Sequence, residues 1–212
     1  VRTTSIYQKP AQQFAPIHRL IMENIQTQAA QMVDLEQDVA FNHAMLEIYT
    51  QQYFKMKYHS DQALDLAANS YIALFSCYEQ PEKLPLGLRR LKIQAKNSEE
   101  EWGLDLEHNS VILFSTQTNQ DYQHKIILEA QNRPNTQGVD NQWLGITFRQ
   151  SKTFVEFKNE LPFFANGQPL TMATETQIAE FYKLKSTENQ QLNYNYTDIL
   201  YTISPSDMLP PK

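Results

Sequence analysis

Two hydrophobic rhythms divide the chain. From residue 16 onward, apolar residues recur every three or four positions: Ile17, Leu20, Ile21, Ile25, Ala29, Met32 and Val33, then Phe41, Met45, Ile48, Tyr49 and Tyr53. That spacing puts them on one helical face. Neither Gly nor Pro falls between Pro16 and Pro81 to interrupt the pattern, and Pro16 suits a helix first turn. A further helix is expected from Ser60 or Asp61, either of which can accept from the unpaired N–H groups of a first turn. It would carry Leu64, Ala67, Ala68, Tyr71, Ile72, Phe75 and Tyr78 inward. Residues 81–87, Pro-Glu-Lys-Leu-Pro-Leu-Gly, end it and act as a connector.

Beyond Gly87 the rhythm changes to a period of two. Residues 88–96, 102–107, 143–149 and 153–158 alternate, and 111–116 is a short apolar run of strand formers. Residues 126–130 lean the same way, and 194–203 forms the last strand candidate. Asn, Gly and Pro clusters between these runs predict an antiparallel sheet. One helix interrupts it. Thr174 followed by Gln177 matches a capping box, with Ile178, Phe181, Tyr182 and Leu184 on one face. The expected fold class is therefore α+β: N-terminal helices packed with a mostly antiparallel β-sheet carrying one inserted helix. Its organisation is a polar extension over 1–15, a helical region over 16–80, a β region over 88–204 with the helix near 175–188, and a tail over 205–212, together one compact unit.

Composition narrows the function classes. The 212 residues carry a formal net charge of −6, and only 20% are charged. The sole dense basic run is Arg89-Arg90-Leu91-Lys92, so nucleic acid is not an expected partner. No apolar run approaches the roughly 18 residues of a membrane span. The first residue is Val1 rather than Met, and a periplasmic or lipid-anchored exported location is favoured over a cytoplasmic one. The lone Cys77 lies among apolar neighbours and reads as a buried small residue. With five Gly in all, phosphate loops, dinucleotide fingerprints and nucleophile elbows are absent.

Candidate chemistry is sparse. Glu36, His43 and Glu47 share one stripe of a helix, but without a Glu-x-x-His pair they read as an exposed polar face. His59-Ser60-Asp61 holds three triad residue types side by side. In a helix or turn such neighbours diverge, so the tripeptide reads as a helix cap. No metal and no cofactor are expected. The acidic cluster of Glu99, Glu100, Glu101, Asp105 and Glu107 stands out. With Trp102 and Trp143 as aromatic anchors, it forms a candidate partner-binding surface that steers a basic protein.

These features point to a non-catalytic binding or interaction protein, such as an exported bacterial accessory domain or an immunity-type inhibitor. A hydrolase built from scattered carboxylates and His, and a helical scaffold that oligomerises through 16–57, are the alternatives.

Overall fold

A period of two governs far more of the chain than its Gly and Pro positions suggest. The computed structural model describes residues 2–32, 35, 37–134 and 140–212. They divide into two units, one of 37–61 and 69–150, the other of 1–36, 62–68 and 151–212.

The unit of 37–61 and 69–150 is built from two antiparallel sheets. Strands β1 (His43–Tyr49), β2 (Tyr71–Tyr78), β5 (Ser110–Ser115) and β7 (Trp143–Arg149) form the first, in the order β1-β7-β2-β5. Strands β3 (Arg89–Ala95), β4 (Glu101–Leu106) and β6 (Tyr122–Leu128) form the second, in the order β4-β3-β6. A six-residue helix, α2 (Thr116–Asp121), joins β5 to β6, and Ser115 caps it by accepting from Thr118 N–H. Tyr49, Leu74, Tyr78 and Trp143 of the first sheet pack with Leu91, Leu106 and Ile126 of the second. Both sheets therefore turn one face onto a shared apolar interior, which supplies the main favourable term in folding.

The expected N-terminal helices are overturned over most of their length. Helix α1 (Pro16–Met32) forms where the three-to-four spacing begins, but His43–Tyr49 and Tyr71–Tyr78 are strands. β2 lies between β7 and β5 and is apolar on both faces. A strand covered on both sides shows a continuous apolar run, which periodicity cannot separate from a buried helix. Turn signals were present in another residue type. Asn69, just before β2, and Asn109, just before β5, both take the left-handed conformation, with φ of 54° and 57°. Asn tolerates this region better than most residues, so it provides turns in a Gly-poor chain.

The other unit contains α1 and the hairpin of β8 (Val155–Lys158) and β9 (Leu161–Phe164). Asn159 and Glu160 form its two-residue turn, both at positive φ, as the twist of adjacent strands prefers. β10 (Thr171–Met172) pairs in parallel with β11 (Tyr201–Thr202). Helix α3 (Glu175–Gln190) starts at the full Thr174–Gln177 capping box. Its Phe181 is buried with Leu64, Ile199, Tyr201 and Ile203. Of the strand expected over 194–203, only Tyr201–Thr202 forms. Asp65 is buried and takes a salt bridge from Arg2 at 2.8 Å. No helix among the described residues is long and apolar enough to cross a membrane.

Candidate metal centre

Strand pairing brings two distant histidines face to face. His59 N–H donates to His124 O at 3.0 Å, and His124 N–H returns the bond to His59 O at 2.8 Å. In such a hydrogen-bonded antiparallel pair the two side chains emerge on the same side; here the imidazole centroids lie 4.7 Å apart. The neighbouring Ser60 is buried and donates its hydroxyl to Tyr122 O at 2.9 Å, which tethers the segment to β6. Residues 59–61 are not helical, so the capping role expected of Ser60 and Asp61 is corrected. In extended chain, positions two apart share a side, and Asp61 therefore joins His59.

Asp61 is held from two directions. Its backbone N–H donates to Asn119 Oδ1 at 2.8 Å, and its carbonyl accepts from Asn119 Nδ2 at 2.7 Å. Asn119 is buried on α2. On the side chain, Arg149 at the end of β7 donates to Asp61 Oδ2 through Nε at 2.9 Å and through a terminal nitrogen at 2.6 Å. The other oxygen, Oδ1, lies 3.7 Å from His124 Nε2. Burial, with 9% of Asp61 exposed, would raise its pKa. The guanidinium of Arg149 and the two imidazoles outweigh this and hold the carboxyl well below the usual carboxylate range. Asp61 is thus an anion with one oxygen occupied by a cation and one turned toward the histidines.

The donor atoms of His59, Asp61 and His124 all lie within 4.8 Å of one another. His59 Nδ1 lies 3.1 Å from Lys57 O. A carbonyl only accepts, so this contact places the proton on Nδ1 and leaves Nε2 with its lone pair. Two imidazoles and one carboxylate on one side of an ion form the facial set that holds non-haem Fe(II) with open positions opposite. The chain's own residues fit such an ion: the carboxylate is charged, one imidazole is held in the ligating tautomer, and Asn119 and Arg149 orient Asp61 from behind.

The residues singled out from sequence lie elsewhere. Trp143 is fully buried, at 0% exposure, in the core of its unit, so it is a packing residue and not a surface anchor. Glu101 on β4 accepts the Tyr58 hydroxyl and lies 2.9 Å from Lys92 Nζ and 3.4 Å from Lys125 Nζ. Those three partners pull its pKa down to about 2, the Tyr58 hydrogen bond most of all. Asp105 lies 3.6 Å from Arg90. Glu99, Glu100 and Glu107 are exposed in the segments flanking β4. Trp102 is 43% exposed and meets Tyr122 edge-on at 5.3 Å between centroids. His43 and Glu47 lie on a strand, where Glu47 accepts the Tyr49 hydroxyl at 2.9 Å; their supposed companion Glu36 lies outside the described residues. The signal that could have located the site is His-x-Asp spacing, which aligns two ligands only if the segment is extended.

Comparison with known proteins agrees with this geometry. No curated protein matches the chain. Among solved structures, one described as a crystal structure of prolyl 4-hydroxylases from Phytophthora capsici is 12% identical, with a TM-score of 0.42, covering 82% of this chain and 52% of that one. The chain thus spans about half the length of that structure. The family model of the 2OG-Fe(II) oxygenase superfamily matches residues 1–149, more than half of the chain and the whole of the segment from His59 to Arg149. That match overturns the expectation of a non-catalytic interaction protein, and with it the α+β assignment, in favour of the mostly sheet, double-stranded β-helix-like fold of an enzyme family. The chain belongs to the 2OG-Fe(II) oxygenase superfamily.

Proposed function

We propose that this chain is an oxygenase that holds Fe(II) through His59, Asp61 and His124 and uses 2-oxoglutarate as co-substrate. The observation that carries this reading is the convergence of those three donors, with the second oxygen of Asp61 taken by Arg149. The chemistry supplied by such an iron, when bound, is the oxidation of 2-oxoglutarate by O₂ to succinate and CO₂, with the second oxygen atom going to the substrate.

The protein's contribution is positional. The main chains of His59 and His124 are tied by reciprocal backbone bonds, which bring both imidazoles out on one side of the pair. Asn119 sets the backbone of Asp61, and Arg149 sets the rotation of its carboxylate. Three protein ligands on one side leave the remaining positions for small molecules. Asp61 is a charged ligand throughout the neutral range, so metal binding there displaces no proton from it.

The test is metal analysis combined with product detection. Anaerobically loaded protein is expected to hold about one Fe(II) per chain. On admission of air it is expected to convert 2-oxoglutarate to succinate, read by proton NMR. His124→Ala and Asp61→Ala should lose both. Absence of bound Fe(II), or equal succinate formation from wild type and His124→Ala, would overturn the reading.

A further inference from the structure

The interior face of the second sheet runs from a metal ligand to an open edge. His124 on β6 stands opposite Ile93 on β3, and Ile93 stands opposite Trp102 on β4. Paired residues share a sheet face, so the three form a row across the sheet. At about 4.8 Å per strand it spans about 10 Å between the outer Cα atoms. Tyr122, two positions before His124, shares that face and meets the Trp102 ring edge-on at 5.3 Å between centroids. Phe114 of the first sheet meets the His124 ring at 6.1 Å. The ligating histidine thus stands at one end of an aromatic wall and Trp102 at the other.

The outer end of that wall is uncovered. β4 is an edge strand in the order β4-β3-β6. Trp102 and Leu104, two positions apart on the inner face, are both nearly half exposed, and adjoining apolar side chains left in the open beside a site mark a binding surface. Charge decides what fits there. Lys92 and Lys125 are taken by Glu101, and Arg90 by Asp105. Glu99 and Glu100 before the strand and Glu107 after it are exposed and form no ion pair among the described residues. From residue 96 to residue 107 the only basic residue is Lys96. Glu100 and Glu107 are seven positions apart, about 23 Å in extended chain, too far for one small cation to serve both.

Resting on the oxygenase reading, we propose that the wall of Trp102, Tyr122 and Leu104 seats the primary substrate, and that this substrate is a basic segment of a polypeptide in extended conformation. One cationic side chain lies against the open face of Trp102, where the ring quadrupole attracts it. Others are drawn to Glu99 and Glu100 at one end of β4 and to Glu107 at the other. A segment held in this way lies beside the metal ligands, because the row that begins at Trp102 ends at His124.

Calorimetric titration of the Mn(II)-loaded full chain, without O₂, tests this with the peptide acetyl-Ala-Lys-Val-Lys-Ala-Lys-Val-amide. Wild type is expected to bind it about tenfold or more tighter than the same peptide with Glu in place of Lys, and than lysine amide. Trp102→Leu should weaken binding about 2- to 30-fold, the range of a cation on an aromatic face. A variant carrying Glu99→Gln and Glu100→Gln should weaken it several-fold at low salt, with the difference shrinking at high salt. Thermal unfolding of both variants checks that they fold. Mn(II) in the protein should broaden the proton NMR signals of the bound peptide, whereas Zn(II) should not. Equal binding of the Lys and Glu peptides, unchanged affinity in Trp102→Leu, or no broadening by Mn(II) overturns the assignment while the oxygenase reading stands. Lysine amide binding as tightly as the peptide overturns the polypeptide. Peptide binding to a chain that holds neither Mn(II) nor Fe(II) overturns the oxygenase reading, and the substrate assignment falls with it.

Discussion

Asn119 offers the sharpest test of how the metal centre is held. One side chain closes both backbone groups of Asp61, as acceptor at 2.8 Å and donor at 2.7 Å. Asn119→Ala removes both partners and leaves a buried N–H and a buried carbonyl unmatched. Each such group costs about 1–3 kcal/mol, so a loss of about 2–6 kcal/mol is expected. For a chain of this size that lowers the midpoint of thermal unfolding by roughly 4–24 °C. The same change frees the backbone that aims the carboxylate, and outer-shell losses of this kind weaken metal binding about 10- to 100-fold. Urea unfolding of the metal-free protein gives the first quantity, and Mn(II) titration gives the second. A stability loss below about 1 kcal/mol together with unchanged Mn(II) affinity would refute the clamp, since water would then replace the amide without consequence.

Adding Mn(II) at about 100 times its dissociation constant should stabilise the fold by about 2.7 kcal/mol. In a melting experiment this rise should vanish in His124→Ala; a rise of equal size there would place the ion elsewhere. Gly145→Ala puts a methyl group against the buried Trp143 ring and should cost about 1–3 kcal/mol by overpacking; an unfolding midpoint equal to wild type would show that the ring turns aside. Glu101, with its pKa lowered to about 2, contributes stability that is present above its ordinary value near 4.5 and is lost as pH falls toward 2. Its side chain is 35% exposed, so the contribution stays below about 1 kcal/mol. The difference between wild type and Glu101→Gln should be flat above pH 5 and close by pH 2; a gap that widens on acidification contradicts the network.

How far the sequence could be read depended on where turns were written in Gly and Pro. After Gly87 the alternation locates several strands within a residue or two, as with Trp143–Arg149, but it misses β9 and stretches a two-residue strand over 194–203. The Thr174–Gln177 box marks the start of α3. Before residue 80 the punctuation is Asn69, and β2 is apolar on both faces, so the segment resembles helix. That one misreading concealed the site. In a helix, Ser60 and Asp61 are caps; in extended chain, His59 and Asp61 share a side. His124 pairs with His59 across 65 positions, and local periodicity does not encode such pairing. The acidic cluster stood out because charges adjacent in sequence are easy to see. Arg89 belongs to the one basic run, and nothing in its sequence neighbourhood marks it as buried.

The central place of β7 also sets an order on assembly. β7 lies between β1 and β2, and its Arg149 pairs with His43, more than a hundred positions earlier. Contacts this remote form late and make folding slow. During synthesis, Asp61 leaves the ribosome well before Arg149, so the carboxylate lacks its guanidinium partner until β7 has been made. Until then β1 and β2 present unpaired backbone to one another and to other chains. Insertion of β7 therefore joins β1 to β2 and pairs Asp61 with Arg149 in one event, and a chain cut short before residue 143 would have neither.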